Sequence, residues 1–154
     1  MLAGSVCLGG LCSPGGGPTP PDQCEQPQAR APIDAIEIGQ PDGEPVRALP
    51  DGWVARVLRG PQGGAMLQFR LRVSGADAPA CLMQTTTVKV RDQVLGSLET
   101  PLNTYADAPG SRVTRPLLVI LNTFQPPTGV LAEVTAAAGG QSVTRSVWID
   151  AVGD

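Results

Sequence analysis

The stretch MLQFRLRV, residues 66–73, alternates between apolar and polar side chains over its seven residues from Leu67 to Val73. A period of two is typical of a half-buried β-strand, because successive side chains in a strand point to opposite faces of the sheet. The stretch therefore predicts a strand with one face in a core and the other in solvent. The predicted inner face holds Leu67, Phe69, Leu71 and Val73, and the outer face holds Gln68, Arg70 and Arg72.

Outward from this strand, short apolar runs recur between turn signals. The 154 residues include 19 Gly and 16 Pro, so we expect many turns and few long helices. Runs at 33–38, 53–59, 82–91, 94–98, 112–121, 129–137 and 141–152 predict further strands, and 100–111 predicts a loop. We predict an all-β sandwich of about seven to nine strands after a flexible N-terminal segment. The residues expected between its sheets are Leu67, Phe69, Leu71, Leu118, Ile120 and Val134.

The N-terminal residues differ from this body in composition. Residues 1–12, MLAGSVCLGGLC, are apolar and uncharged, which predicts the remnant of an export signal whose basic start is missing. Residues 13–32 hold six Pro and three Gly, which predicts a stalk before the folded domain at 33–154. We expect an extracytoplasmic protein that is secreted, periplasmic or anchored in the outer membrane. Cys7 follows Val6 and Cys12 follows Leu11, a poor match to a lipidation site, so membrane anchoring through the N-terminus and free secretion both stay open.

Two cysteines remain if residues 1–12 are removed. In an oxidising compartment, Cys24 and Cys81 are expected to form a disulfide that joins the stalk to the body. Closing a loop of that length stabilises a fold by about 4 kcal/mol in the chain-entropy model. The alternative is two free thiols. The cysteine spacing matches no zinc motif.

The charge composition excludes several classes of function. The chain has no histidine, which removes Ser-His-Asp and Cys-His catalysis and nearly all catalytic zinc sites. A net charge of -3 argues against nucleic acid as a partner, and we expect no metal and no cofactor. The acidic residues near the first strand lack the spacing of a calcium loop, and we interpret them as a solvated edge that discourages strand association. They are Asp34, Glu37, Asp42 and Glu44.

The turn motif GPQGG comprises Gly60, Pro61, Gln62, Gly63 and Gly64. A phosphate-binding loop would be followed by a helix and would contain Lys with Ser or Thr, so we interpret the motif as a tight turn between two strands. Pairing those strands predicts one basic patch for an anionic glycan, a lipid head group or a partner's carboxylate. The alternative is a solvated face. The patch would hold Arg56, Arg59, Arg70 and Arg72.

The two tryptophans are scarce aromatic residues in this chain. A Trp in a sandwich is more often a core residue, so Trp53 and Trp148 are both expected in the core. The alternative is that each forms a carbohydrate platform on the surface.

Two stretches resemble known bacterial families. GVLAEVTAAAGGQSVTRSVWID, residues 129–150, resembles the last hairpin of bacterial immunoglobulin-like extracellular domains. The turn position that often holds Asp is Ala136 or Ala137 here, so calcium binding of the cadherin kind is not implied. The matching residues are Gly129, Leu131, Val134, Thr135, Gly139 or Gly140, and Ser142.

The stretch RGPQGGAMLQFRLRV, residues 59–73, resembles an uncharacterised family of secreted bacterial lipoproteins that carry a GPQGG turn. That family usually has a His shortly after the turn, where this chain has Met66. Together the two resemblances imply an immunoglobulin-like β-sandwich and carry no activity over to this chain.

The expected function is that of a non-catalytic extracytoplasmic module for envelope structure, adhesion or binding. Its partner would be an unknown protein or glycan at the cell surface. The alternative is an accessory subunit that docks on another envelope protein. A small carboxylate-based hydrolase is the least favoured hypothesis, because the five Glu and nine Asp lie mostly at turns.

Overall fold

The computed structural model describes residues 22–27 and 32–150, and the backbone of two short strands at 5–8 and 11–14. Most of the predicted export-signal remnant and stalk therefore lies outside the residues whose side chains are described. The described residues contain no helix, which confirms the all-β prediction. The strands are β1 Ser5–Leu8, β2 Leu11–Pro14, β3 Ala35–Gly39, β4 Trp53–Arg56, β5 Leu58–Arg59, β6 Ala65–Ser74, β7 Cys81–Val90, β8 Gln93–Ala108, β9 Ser111–Thr114, β10 Leu117–Ile120, β11 Val130–Ala138 and β12 Gln141–Asp150.

Strands β3 to β12 form one mixed sheet, and β1 pairs with β2 in a separate hairpin. The main order is β10-β6-β9-β8-β7-β11-β12-β4, with β3 and β5 also paired to β6. The 16-residue strand β8 pairs first with β7 and then with β9, so it passes from one half of the sheet to the other. The sheet curls until β3 packs against β11 and β12, with which it is not paired. One continuous curled sheet thus encloses the core, and the predicted immunoglobulin-like sandwich of two separate sheets is not confirmed.

Since the described residues form no helix, none of them provides a long apolar helix of the kind that crosses a membrane.

The core confirms the predicted face of β6 and corrects that of β10. Leu67, Phe69, Leu71 and Val134 are buried as expected. Leu118 is only half-buried and Ile120 is 66% exposed, so the prediction that both lie in the core is wrong. In their place, residues Leu117, Val119 and Leu121 are buried.

Strand pairing explains this shift by one residue. Leu117 pairs with Phe69, and Val119 pairs with Leu67. Directly paired residues point to the same face of a sheet, so the inward face of β6 fixes the inward face of β10. The run LLVIL is apolar at every position, and its own sequence carries no alternation that could show which face is buried.

The predicted loop at 100–111 is wrong, because β8 continues to Ala108. Pro101 argues against a strand in sequence, since proline cannot donate a ladder hydrogen bond. Here the Pro101 carbonyl accepts from the Cys24 amide at 3.4 Å, on the edge opposite β7. The N and C=O of one residue point to the same edge, so the missing N–H costs no hydrogen bond to β7.

The predicted strand at 112–121 divides into β9 and β10 around Arg115 and Pro116, and the predicted strand at 53–59 divides into β4 and β5. The final hairpin is confirmed, because β11 pairs with β12 along its whole length. Its turn residues Gly139 and Gly140 have φ of 54° and 80°, a backbone conformation that suits glycine.

The curl closes where β10 meets the first half of β8. Gly96 forms an isolated bridge with Leu121, and the Asn122 amide donates to the Leu95 carbonyl at 2.7 Å. Gly96 lies beside a register shift in the β7–β8 ladder. A Cβ at Gly96 would lie 2.4 Å from the carbonyl oxygen of Ile120, which is far inside contact distance. This closure therefore needs a residue without a side chain.

We predict that Gly96→Ala lowers the free energy of unfolding by about 1–3 kcal/mol, because backbone must move to admit the methyl group. Urea unfolding monitored by circular dichroism measures the change. Gly64→Ala is the matched control, since no atom lies within 4 Å of a Cβ at Gly64 and its φ is not positive. Equal stability of the two variants would contradict the close approach of β10 to β8.

Candidate functional site

The GPQGG motif forms the tight turn between β5 and β6. The Gly60 amide donates to the Gly64 carbonyl at 2.8 Å, and the Gly63 amide donates to the Gly60 carbonyl at 2.9 Å. Gly63 has a φ of 81°, which favours glycine. The Arg59 guanidinium donates to the Gly63 carbonyl at 2.9 Å and also to the Phe124 carbonyl. The motif is thus a structural turn that Arg59 links to a distant loop.

The four arginines of the predicted patch do not share one strand pair. Arg56 lies on β4, which pairs with β12, whereas Arg59 lies on β5, which pairs with β6. Arg70 and Arg72 lie together on the outer face of β6. Of the predicted patch, Arg70 and Arg72 therefore lie side by side on one strand, whereas Arg56 lies on a strand with different neighbours.

Acidic side chains neutralise the two arginines of β6. Arg72 forms ion pairs with Asp107 at 3.1 Å and with Glu37 at 3.4 Å, and donates to the Val46 carbonyl. Arg70 forms an ion pair with Glu44 at 3.1 Å. Two of the four residues that we interpreted as a solvated acidic edge are therefore partners of arginines.

We predict that Arg72→Met lowers the free energy of unfolding by about 1–2 kcal/mol, because it removes two half-buried ion pairs and leaves their carboxylates unpaired. Thermal and urea melts measure the loss. Arg47→Met is the control, since Arg47 is exposed in the neighbouring loop. A loss no larger for Arg72→Met than for Arg47→Met would show that the ion pairs contribute nothing to stability.

A disulfide joins Cys24 to Cys81, as predicted, with their Cα atoms 5.8 Å apart. Residues next to Cys24 extend the sheet at the free edge of β8. Gln23 forms a bridge with Leu102, and the Asn103 amide donates to the Asp22 carbonyl at 2.8 Å. Residues 22–24 are therefore held by backbone hydrogen bonds as well as by the covalent link, and we call them the docked segment.

The Asp22 carboxylate anchors this docked segment. It accepts hydrogen bonds from the Tyr105 hydroxyl and from Asn103 Nδ2 at 3.0 Å. Arg115 Nε lies 3.7 Å from the same carboxylate, and its guanidinium lies 5.0 Å from the centre of the Tyr105 ring. The Tyr105 hydrogen bond lowers the pKa of Asp22, partial burial opposes this, and Asn103 and Arg115 lower it further. The same hydrogen bond raises the pKa of Tyr105.

We predict that docking of this segment depends on pH once the disulfide is removed. The lowered pKa of Asp22 means that its contribution is present above the ordinary value of 3.8 and is lost as pH falls through the lowered pKa. The raised pKa of Tyr105 means that its contribution is present below 10.0 and is lost as pH rises through the raised pKa.

The test uses the double variant Cys24→Ser/Cys81→Ser and follows the NMR signal of the Asn103 amide. We expect the signal to shift toward a free position as pH falls from 7 to about 2. Adding Tyr105→Phe should weaken docking at neutral pH and remove the alkaline transition. An Asn103 signal that does not change with pH would contradict a role for Asp22.

An exposed apolar row crosses three neighbouring strands on the outer face of the sheet. Trp148 on β12 pairs with Leu131 on β11 and with Val54 on β4. Their exposed fractions are 44%, 47% and 53%, respectively. The prediction that Trp148 lies in the core is therefore wrong, whereas Trp53 is partly buried against the core. We call Val54, Trp148 and Leu131 the tryptophan row.

The position of Trp148 follows from its neighbours. Val147 and Ile149 are fully buried, and side chains alternate along β12. Trp148 must then point outward. The run SVWID, residues 146–150, carries a signal for this orientation, because the polar residues Ser146 and Asp150 occupy the same alternate positions as Trp148.

The tryptophan row borders an open groove of about 870 Å³. The groove lies where the β7–β8 turn approaches the start of β11, and Trp148 and Leu131 line it. Arg91, with a φ of 56°, and Asp92 form the turn. The side chains that matter for its chemistry are Arg91, Asp92, Gln93, Val130, Leu131 and Trp148.

Polar rows continue the outer face beyond the tryptophan row. In the next row, Glu133 pairs with Lys89 on one side and with Ser146 on the other. A further row aligns hydroxyl groups across four strands, two pairs of which lie within hydrogen-bond distance. That row consists of Ser97, Thr87, Thr135 and Thr144.

No group of three His, Cys, Asp or Glu side chains in the described part of the chain could hold a metal ion. Comparisons with protein-family models, with curated proteins and with solved structures found no match to this chain.

Proposed function

We propose that this chain is a non-catalytic extracytoplasmic module that binds a component of the cell envelope through the tryptophan row. The observation that carries the proposal is the exposure of Trp148 between Leu131 and Val54. A contiguous apolar surface that includes an aromatic side chain is typical of an interaction site, because leaving it in water is unfavourable.

The disulfide between Cys24 and Cys81 supports the extracytoplasmic part of the proposal. Structural disulfides persist in oxidising compartments and are rare in the cytosol of most organisms. The apolar and uncharged composition of residues 1–12 supports export in the same way.

A second candidate is an accessory subunit that docks on another envelope protein. It is favoured by exposed apolar residues at the other end of the strand order, on β10 and in the loop that follows it. Ile120 and Phe124 are 66% and 69% exposed, and Ile120 is in register with Leu58 through Met66. A surface of this kind suits a protein partner better than a soluble polar ligand.

The first experiment measures co-sedimentation of the purified full chain with isolated cell envelopes of the source organism. We expect binding that Trp148→Ala reduces by at least about tenfold, because the largest side chain of the tryptophan row is lost. Phe124→Ala is the matched control, since it removes an exposed aromatic side chain elsewhere. Loss of binding in Phe124→Ala but not in Trp148→Ala would favour the accessory subunit.

The location is tested separately by fusing alkaline phosphatase to the C-terminus of the protein at its chromosomal locus in the source organism, so that translation begins where it does naturally. This enzyme needs its own disulfides and is active only outside the cytoplasm. We expect phosphatase activity in intact cells. Activity of a matching β-galactosidase fusion, with an inactive phosphatase fusion, would contradict the extracytoplasmic location.

A further inference from the structure

We propose that the groove beside Trp148 binds a neutral polysaccharide, an inference that rests on the proposed envelope-binding function and names its ligand class. The groove is large enough for several sugar rings, since about 870 Å³ lies within the range of ligand sites in proteins. Its lining combines the exposed aromatic side chain of Trp148 with the polar side chains of the β7–β8 turn.

Trp148 supplies the apolar part of this recognition. A pyranose ring carries C–H groups on one face and hydroxyl groups around its edge. The C–H face packs on an indole ring, which removes apolar surface from water on both partners. Trp148 is 44% exposed and lines the groove, and Leu131 extends the apolar surface beside it.

The β7–β8 turn supplies the polar part. Asp92 and Gln93 are exposed and line the groove together with Arg91. Their planar carboxylate, amide and guanidinium groups can each bond two neighbouring hydroxyl groups at once. A ring stacked on Trp148 would present its edge hydroxyl groups to these side chains.

The distribution of charge selects a neutral ligand. The two charged residues that line the groove, Arg91 and Asp92, have opposite signs and are adjacent in the turn. In the neighbouring row, Lys89 is paired directly with Glu133. The described residues therefore give this surface no excess of positive charge that would attract an anionic glycan or lipid head group.

Outer-face geometry suits an extended chain of sugars rather than a single ring. The tryptophan row and the two polar rows follow one another along the strands at intervals of about 7 Å. Adjacent strands lie about 4.8 Å apart. Hydroxyl groups of Thr87 and Ser97, and of Thr135 and Thr144, face solvent in a regular array. A polysaccharide that leaves the groove could continue over this polar surface.

The experiment titrates the full chain with four neutral hexasaccharides, namely cellohexaose, chitohexaose, xylohexaose and mannohexaose, by calorimetry and tryptophan fluorescence. We expect at least one to bind and to quench the fluorescence of Trp148. Trp148→Ala should weaken that binding at least about tenfold, and Trp148→Tyr should retain part of it. Asp92→Ala and Gln93→Ala should each weaken it about three- to tenfold.

Phe124→Ala should bind the same sugar as the unmodified chain, because Phe124 lies outside the groove. A decaproline peptide is the competing probe, since proline-rich peptides also dock in grooves lined with aromatic side chains. Binding of decaproline through Trp148, with no binding of the hexasaccharides, overturns the sugar proposal. Binding of none of the five probes also overturns it.

The outcome is separable from the proposed function. Trp148-dependent sedimentation with envelopes, without binding to any hexasaccharide, would refute the sugar ligand and leave the envelope module standing. Envelopes treated with protease distinguish the two further, because a glycan receptor survives this treatment and a protein receptor does not.

Discussion

Burial of one face of β6 is the constraint on which the rest of the structure depends. Leu67, Phe69 and Leu71 have no exposed surface, and β6 has paired neighbours along both edges. Every neighbour must therefore match its inward side chains to this strand. Deletion of the Phe69 side chain alone would cost about 3–5 kcal/mol, a large share of the stability of a domain of this size.

The same constraint determines what the outer surface carries. Because alternate residues of β6 point inward, Arg70 and Arg72 must point outward. There they meet the carboxylates of Glu37 on β3 and Glu44 in the loop at 40–49, and carbonyl groups of that loop. On β12, the inward Val147 and Ile149 place Trp148 in solvent. The charged surface over β6 is thus neutralised within the chain, whereas the aromatic surface over β12 has no cover among the described residues.

The sequence predicted well the elements whose own pattern alternates. The residues around Phe69 and the hairpin at Gly139–Gly140 have such patterns, and the structure agrees with both predictions. The run LLVIL has no alternation, so its orientation depends on pairing with β6, which local sequence does not contain. The extension of β8 through Pro101 likewise depends on a tertiary contact, because the docked segment pairs with the free edge of β8 at this point.

The candidate site was harder to predict because the groove assembles from parts distant in sequence. Arg91, Asp92 and Gln93 lie in one turn, whereas Leu131 and Trp148 come from the last hairpin. The pairing of β11 with β7 brings them together, and no local motif records that pairing. The disulfide was predictable, since it required only the compartment and the count of cysteines.

The positions of the docked segment and the groove determine how a module attached through its N-terminal segment would be oriented. Cys81 begins β7 and Val90 ends it, and ten residues of strand separate these ends by about 30 Å. The disulfide therefore fixes the N-terminal segment at one end of β7, and the groove lies at the other. A module tethered through residues that precede Cys24 would hold its binding groove away from the point of attachment.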